Sequence, residues 1–436
     1  MKIVIVSQYY APEVAVIPVQ LAEGLVARGH KVRVVTGFPN YPEGVLFTGY
    51  RQRFSYDELL NGVDVRRVPS IINHSTNSFA RVANYMSFAL STVGATRFIR
   101  GADVVYVYAT PMTASIAAAF WRKLHRLPFV LHVQDLWPES VTGSSLVPGQ
   151  LLGRLIDRVL GPWLRQTYLR CAAIIAIAPT MSTMLKERGA PATKVHTVMN
   201  WAADESDSQT QGGACLPKDR QRLHLVYAGN VGDLQDLETI VRAAGMVQDL
   251  EALQITIIGS GIAREKLILL ASDLRITNVR FRERVAPSAM TAIYADSDFQ
   301  LVTLKDLPIF AGTIPSKLQA SLARGVPVIT NIRGDVGTMV SNNRIGFAVS
   351  PGDVDSLAVA FRQSYRLSEE ERRSMGARAL ALYAREMSSS KGIDAIEQIL
   401  ESASRLTPRK GLVDELEPRS SRMLSSQASK EKDRWT

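Results

Sequence analysis

Residues 312–330 read GTIPSKLQASLARGVPVIT and place a turn, a helix and a β-strand in immediate succession. Lys317 falls in the first turn of the helical pattern, and the apolar run Val326–Ile329 follows the helix directly. The first N–H groups of a helix have no intrahelical acceptor and carry a partial positive charge. With a lysine beside them they form a ready site for a phosphate. The alternative is a capped surface helix whose Lys317 is merely solvated.

Strand and helix patterns alternate on both sides of this segment. The first half begins with the strand pattern KIVIV, and a second series begins at HLVYAGN, near residue 224. Strands that alternate with helices at this spacing indicate a parallel sheet covered on both faces. We therefore predict an α/β protein with two doubly wound, Rossmann-like domains that face each other across a cleft.

The domain boundaries follow from composition and periodicity. We predict an N-terminal domain over 1–202, a linker rich in Ser, Gln, Gly and Asp over 203–221, and a C-terminal domain over 222–385. A helix over 386–405 is expected to cross back onto the first domain, and residues 406–436, with few apolar anchors, to form a disordered tail. Ligands of open α/β sheets bind beyond the carboxyl ends of the strands, which here meet at the interdomain cleft.

Length and composition limit the class of protein. A chain of 436 residues can form two domains with full cores, and a hydrophobic content of 46% with 21% charged residues is typical of a soluble protein. With two cysteines the chain has no disulfide framework, so we expect a reducing cytosol. Its longest apolar stretches are shorter than the roughly 18 residues of a membrane span. We therefore expect no transmembrane helix.

The net charge of +10 raises the question of an anionic partner. Basic residues are scattered, mostly over the first 200 positions, without an aromatic-interleaved stripe or zinc spacing, which argues against nucleic acid. An anionic substrate or an acidic membrane surface is the better explanation. Segments 81–100 and 151–170 mix apolar stripes with arginines, as surface-bound amphipathic helices do. The alternative is that their apolar faces pack in the core of the first domain.

Polar and aromatic side chains follow several predicted strands, at the edge where a cleft is expected. Each of these side chains could equally have only a structural role in its loop, and a buried carboxylate could simply be hydrogen-bonded in the core. The candidates are Tyr9 and Glu13 after the first strand, Asn40 and Tyr41 after the second, and His132, Asp135 and Glu139 at the end of the strand PFVLHVQD.

The second domain offers small residues rather than a metal or nucleophile signature. Gly229 and Asn230 lie between a strand and a helix, where a ligand can approach the backbone closely. The later GSG lacks the third glycine of a dinucleotide fingerprint. The Asp296-Ser297-Asp298 sequence is better explained by turn capping than by a metal. No His/Cys cluster has metal spacing, and no G-x-S-x-G or Cys/His nucleophile arrangement stands out.

Six segments together resemble retaining family-4 glycosyltransferases of the GT-B fold. Within that family the chain is most similar to bacterial enzymes of colanic acid, capsule and O-antigen assembly. The resemblance extends from Met1 to about residue 400. The segments are SQYYAPE, TGFPNYPEG, HVQDLWPES, the MNW at 199–201, YAGNVGDLQDLETI and PSKLQASLARGVPVIT.

The resemblance implies a nucleotide-sugar donor, by family habit a UDP-sugar, bound mainly by the second domain without a metal. It also implies a polyprenyl-diphosphate-linked saccharide acceptor on the first domain, at the cytoplasmic face of the membrane. Lys317 would stabilise the leaving diphosphate, and Asp135 or His132 would position sugar or acceptor. The family's glutamate pair is missing, because Gly312 and Ala320 occupy its positions. The implied donor-side residues are Gly229, Asn230, Gly312, Thr313, Ser316 and Lys317; the acceptor-side residues are Tyr9, Glu13, Asn40, Tyr41 and Glu139.

Other functions are open at this level. A nicotinamide-dependent epimerase or dehydrogenase would need G-x-G-x-x-G after the first strand, where this chain has SQYYAPE. A GT-B sugar-nucleotide epimerase would share the fold and differ in needing no acceptor. A periplasmic-type binding protein would share the cleft but requires an export signal. A catalytically inactive glycosyltransferase-like scaffold is compatible with the missing glutamate pair.

Overall fold

The computed structural model describes residues 1–41, 43–72, 78–137, 150–203 and 222–406. Within these ranges the chain forms two sheets, one on each side of the predicted linker. The linker beyond Ala203 and the predicted tail beyond Leu406 lie outside the described residues.

The first sheet has eight strands in the order β3-β4-β2-β1-β5-β6-β7-β8. All neighbours pair in parallel except β3 and β4, which are antiparallel. Strand β3 was missed by the sequence analysis, because its sequence YDELL is polar and it lies at the sheet edge. The strands are β1 (Lys2–Val6), β2 (Lys31–Gly37), β3 (Tyr56–Leu60), β4 (Val63–Val68), β5 (Val104–Ala109), β6 (Phe129–Val133), β7 (Ala173–Ala176) and β8 (Val195–Thr197).

The second sheet has six parallel strands in the order β11-β10-β9-β12-β13-β14. From β9 the strand order runs outward in one direction to β11, and from β12 it runs outward in the other direction to β14. The carboxyl ends of β9 and β12 are therefore the topological switch point. The strands are β9 (Leu223–Ala228), β10 (Leu253–Ile258), β11 (Val279–Arg282), β12 (Phe299–Val302), β13 (Val328–Thr330) and β14 (Gly346–Ala348).

Helices cover both faces of each sheet, so successive side chains of a central strand are buried on opposite faces. In β1, Val4 and Val6 pack into one hydrophobic cluster while Ile3 and Ile5 pack into the cluster on the opposite face. A central parallel strand buried on both faces must therefore be continuously apolar. The described helices are α1 (Val16–Ala27), α2 (Ser78–Val93), α3 (Ser115–His125), α4 (Gln150–Arg170), α5 (Pro179–Glu187), α6 (Leu237–Gly245), α7 (Arg264–Asp273), α8 (Met290–Asp296), α9 (Ser316–Ala323), α10 (Asp335–Asn342), α11 (Val354–Arg366), α12 (Glu369–Glu386) and α13 (Ser389–Ser404).

The last helix crosses back onto the first domain, as the sequence predicted. In α13, Ile396 and Leu400 are fully buried in the cluster that contains Ile3 and Ile5 of β1. Ion pairs at the surface add to this contact, and Glu397 lies 2.6 Å from the His30 ring. The last helix is therefore part of the hydrophobic core on one face of the first sheet.

The two predicted amphipathic segments pack partly into the core. In α2, Phe88 and Ala89 are fully buried, while Leu90 is 62% exposed. In α4, Leu164 and Tyr168 are buried and the cations near them face outward. Among the helices that the structure describes, none is both long and apolar enough to cross a bilayer.

Candidate functional site

Lys317 lies where the sequence predicted a cation, in the first turn of α9. Its Nζ donates a hydrogen bond of 2.9 Å to the hydroxyl of Tyr227 and lies 4.4 Å from the centre of that ring. Burial lowers the pKa of Lys317 to about 8. In the described part of the chain no carboxylate forms an ion pair with it. The site therefore holds a half-buried cation that has no anionic partner of its own.

Gly229 and Asn230 lie against this lysine at the switch point. Gly229 follows β9 with φ of 145°, and a Cβ there would collide with the Lys317 side chain. The Tyr227 hydroxyl, which accepts from Lys317, donates to the Asn230 carbonyl at 2.5 Å. Both Gly229 and Asn230 are exposed. The Gly229 N–H donates to the Ile258 carbonyl at 2.9 Å, so what this turn offers an anionic ligand is an exposed surface beside the Lys317 cation.

The turn before α9 contributes less than the sequence analysis expected. Gly312 is buried against the first domain. The backbone N–H and the hydroxyl of Thr313 already donate to Phe310 and Ile309 carbonyls, both at 3.1 Å. Ser316, by contrast, is exposed at the start of α9. Of these three predicted donor-side residues, Ser316 alone presents its polar groups to solvent.

Asp135 lies beyond the carboxyl end of β6, at the cleft edge of the first sheet. Asp135 as a residue is exposed at the surface, but protein surrounds its carboxylate on most sides. This desolvation raises the pKa of Asp135 to about 6. Its charge in turn contributes to raising the pKa of Tyr108. Among the described residues, no hydrogen bond or ion pair engages the carboxylate. Asp135 is therefore available to a ligand.

His132 lies in the core and not at the cleft, so the catalytic role predicted for it does not fit its position. The ring is fully buried within β6, and Nδ1 forms a hydrogen bond with the Tyr106 hydroxyl. Its Nε2 has no partner in the structure. Burial lowers the pKa of His132 to about 3, so the ring is neutral. In a strand, positions 132 and 130 share a face, and Val130 packs against the layer of α1 and α13.

Glu13, a predicted acceptor-side residue, is buried and organises the loops. The carboxylate is buried and accepts three backbone N–H groups, from Tyr10 at 3.3 Å, Asn40 at 2.7 Å and Tyr41 at 2.8 Å. Burial nevertheless raises its pKa above the usual range. Glu13 therefore ties the loop after β1 to the loop after β2.

The aromatic rings of Tyr9 and Tyr41 form the outer part of this side. Their centroids are 5.1 Å apart, and Tyr41 is 44% exposed. Asn40 is buried, and its amide donates to the Phe38 carbonyl at 2.7 Å. Glu139, the remaining predicted acceptor-side residue, lies outside the described residues. Among the predicted acceptor-side residues that the structure describes, Tyr9 and Tyr41 are thus the ones that reach the surface.

Two residues with a structural part in the site were missed by the sequence analysis. Tyr227 bridges Lys317 and Asn230, and its place two residues before Gly229 at a strand end was the available signal. Arg67, one of the scattered basic residues of the first 200 positions, is fully buried and donates to the carbonyls of Ala11 and Gly37. No sequence pattern distinguishes such an arginine from a solvated one.

The aspartates of the Asp-Ser-Asp sequence are engaged within the second domain. Asp296 lies 2.9 Å from Nδ1 of His224, and Asp298 accepts the His224 backbone N–H at 2.9 Å. Across the ranges that the structure describes, no group of three or more His, Cys, Asp or Glu side chains could hold a metal ion.

Solved structures with the same architecture define the class of fold. HepE of Anabaena, solved with UDP and glucose, superimposes with a TM-score of 0.64 at 15% identity, covering 92% of this chain and all of that one. WaaG, a glycosyltransferase involved in lipopolysaccharide biosynthesis, gives a TM-score of 0.60 at 14% identity, covering 91% and 99%. The fold is that of the GT-B glycosyltransferases.

Sequence comparisons assign the chain more narrowly. The family model "Glycosyl transferase 4-like domain" matches residues 14–201, and "Glycosyl transferases group 1" matches residues 215–381. WcaI of Escherichia coli K12, described as a colanic acid biosynthesis glycosyl transferase, is 26% identical over 384 residues, 84% of this chain and 93% of WcaI. WbjE of Pseudomonas aeruginosa, described as a glycosyltransferase, is 24% identical over 280 residues, 63% of this chain and 68% of WbjE. The chain belongs to the family-4 glycosyltransferases and is a sugar-transferring enzyme.

Proposed function

We propose that the protein transfers a sugar, with retention of configuration, from a nucleoside-diphosphate sugar whose diphosphate is held by Lys317. The observation that carries this proposal is the half-buried lysine without a carboxylate partner in the described chain. Burial of an uncompensated charge costs free energy, so a protein retains such a group where an anionic ligand completes the pair. The exposed Gly229 lies directly beside it, and Tyr227 links the lysine to the Asn230 carbonyl.

The chemistry of transfer explains the value of this cation. The bond from the anomeric carbon to the β-phosphate oxygen breaks as the bond to the acceptor oxygen forms, and the acceptor proton passes to the leaving phosphate. Negative charge thus develops on the diphosphate, where a preorganised cation lowers the barrier most. Removal of one such donor typically costs about 2.7–4 kcal/mol, or roughly 10²–10³ in rate. No protein nucleophile and no metal enters this scheme.

The donor and the pathway are proposed from the relatives. HepE is described in complex with UDP and glucose, and a trehalose-6-phosphate enzyme of E. coli with UDP-2-fluoro glucose. These complexes support UDP as the donor nucleotide. The description of WcaI supports assembly of a bacterial surface polysaccharide. Asp135, whose carboxylate faces the cleft edge of the first domain, would position the reacting sugar or the acceptor hydroxyl.

The acceptor is proposed to be a polyprenyl-diphosphate-linked saccharide at the cytoplasmic face of the membrane. Arg158, Arg165 and Arg170 of α4 are exposed, and Val159 and Leu169 on the same helix are 65% and 47% exposed. Cations beside apolar side chains favour an anionic lipid surface. Flotation with vesicles of phosphatidylglycerol and phosphatidylcholine tests this, with pure phosphatidylcholine as the control. Protein that stays at the bottom of the gradient with both vesicles at low salt contradicts the membrane proposal.

Binding of free nucleotides tests the donor site. UDP, GDP, dTDP, CMP and NAD are compared by thermal unfolding, since a ligand at 100 times its Kd adds about 2.7 kcal/mol of stability. We expect a nucleoside diphosphate, UDP first, to stabilise the protein, and Lys317→Ala to abolish the effect. Lys266→Ala is the matched control, because that side chain is 73% exposed and pairs with Glu238. Stabilisation by NAD alone would refute the proposal, and nucleotide binding without any sugar transfer would identify an inactive scaffold.

A further inference from the structure

The two domains touch beside the donor segment, defined here as residues 312–317. Thr180, near the start of α5 in the first domain, donates twice to Asp335, the first residue of α10 in the second domain. Its backbone N–H reaches one carboxylate oxygen at 2.8 Å, and its hydroxyl reaches the other at 2.9 Å. Asp335 thus binds one residue of the other domain through both of its oxygens.

This contact completes a helix that its own domain leaves uncapped. Helix α5 begins at Pro179, and Ala178 before it has no side chain that could accept a hydrogen bond. A carboxylate at a helix N-terminus satisfies a free N–H group and is favoured by the helix dipole. The cap of this first-domain helix therefore comes from the second domain, so α5 is fully capped only while the domains are together.

Glycine at position 312 makes the approach possible. A Cβ on Gly312 would lie 2.7 Å from the Met181 nitrogen and 3.1 Å from its Cα, a separation that real side chains do not adopt. The resemblance to family-4 enzymes implies a glutamate at this position, and no side chain fits here. The second close approach is within the second domain, where Gly334, with φ of 77°, meets the Ala311 backbone. Ala311 and Gly312, where the donor segment begins, are thus packed closely against Gly334 before α10 and Met181 of α5.

We propose that Thr180 and Asp335 form an interdomain latch, with Gly312 as the small residue that lets it close. The latch holds the donor segment, and with it Lys317, in one position relative to the first domain. Thr180, Asp335 and Gly312 are positioning residues, since they act through that segment. Separation of the domains breaks two hydrogen bonds and uncaps α5, so the latch favours the closed cleft while leaving opening reversible. The inference rests on the donor site proposed at Lys317.

The latch is tested with variants that remove its parts singly. Asp335→Asn and Thr180→Val remove the charge and the hydroxyl, and Thr180→Ser keeps both donors. Thr183→Val is the matched control, because Thr183 is exposed on the same helix and bonds only to Pro179. The readouts are amide exchange at residue 180, the radius of gyration by X-ray scattering and the Kd for UDP.

For Asp335→Asn we expect faster exchange of the Thr180 amide, a larger radius of gyration and about tenfold weaker UDP binding, as loss of a charge-assisted pair implies. Thr180→Val should show a smaller change in the same direction, and Thr180→Ser and Thr183→Val none. Gly312→Ala should open the cleft as Asp335→Asn does. Its control is Gly94→Ala, where an added Cβ meets nothing within 4 Å.

Unchanged exchange and radius of gyration in Asp335→Asn would overturn the latch, whatever happens to binding. The same holds if Thr180→Ser fails to retain the wild-type values, because the hydroxyl would then not be the acting group. Lys317→Ala separates the two proposals. It should lose UDP binding while keeping the wild-type radius and amide protection. Normal UDP binding by Lys317→Ala would refute the donor site and leave the latch to be judged by exchange and scattering.

Discussion

Replacement of Lys317 by methionine should stabilise the protein while greatly slowing sugar transfer. Burial lowers the pKa of Lys317 from 10.5 to about 8. At about 1.36 kcal/mol per pKa unit, this shift means that the charged form costs the folded state about 3 kcal/mol. Methionine has a similar length and no charge, but it loses the ring contact and hydrogen bond with Tyr227, worth about 1–2 kcal/mol. The net expectation is a gain of about 1–2 kcal/mol in the free energy of unfolding.

The pH dependence of stability tests independently whether the Lys317 charge destabilises the folded protein. Because the folded pKa lies below the unfolded one, the unfolded chain binds more protons between about pH 8 and 10.5. The stability of the wild type should therefore rise, relative to Lys317→Met, as pH increases through that window. Below about pH 8 the difference should be constant and at its largest.

Urea unfolding at several pH values, with sugar transfer assayed in parallel, measures both effects. Lys266→Met is the control, since an exposed surface lysine should change stability by less than about 0.5 kcal/mol. Transfer by Lys317→Met should fall by roughly 10²–10³. A variant that is less stable than the wild type at pH 7, or that retains near-normal turnover, would refute the reasoning about this buried cation.

Three further changes test the remaining assignments. If ionised Asp135 positions substrate, kcat/KM of the wild type should decline as pH falls through about 6. Asp135→Asn should be slow and lack that decline. An identical pH profile in the wild type and the variant would remove the role of Asp135. Glu13→Gln should destabilise the protein by about 1–3 kcal/mol in thermal unfolding, since the amide cannot accept all three N–H groups, and a loss below 0.5 kcal/mol would contradict that. The double variant Tyr106→Phe/His132→Leu removes both partners of a core hydrogen bond and should keep kcat within about twofold. The single variant His132→Leu leaves the buried Tyr106 hydroxyl without its partner and should cost about 1–3 kcal/mol of stability. A large loss of kcat in the double variant would restore a catalytic part for His132.

The predicted donor-side residues were selected from local sequence alone. Lys317 was selected because it falls in the first turn of a helix, where N–H groups are free. Gly229 and Asn230 were selected because they follow a strand of an alternating α/β pattern, whose parallel strands bring their carboxyl ends to one edge. The same rule selected His132, and there it was misleading. Helices cover both faces of β6, so His132 inside the strand lies in the core, while Asp135 beyond the strand end lies at the cleft edge.

The sequence by itself determined the two-domain α/β architecture, the return of the last helix and a cation at the start of α9. Those features depend on hydrophobic periodicity and on residues close together in the chain. Tertiary structure alone decided that Glu13 binds backbone rather than substrate and that Gly312 faces Met181 of the other domain. It also decided that Asp335 caps a helix 155 residues away in sequence. Such contacts join segments whose separation is set by the packing of whole domains, and no local pattern encodes that distance.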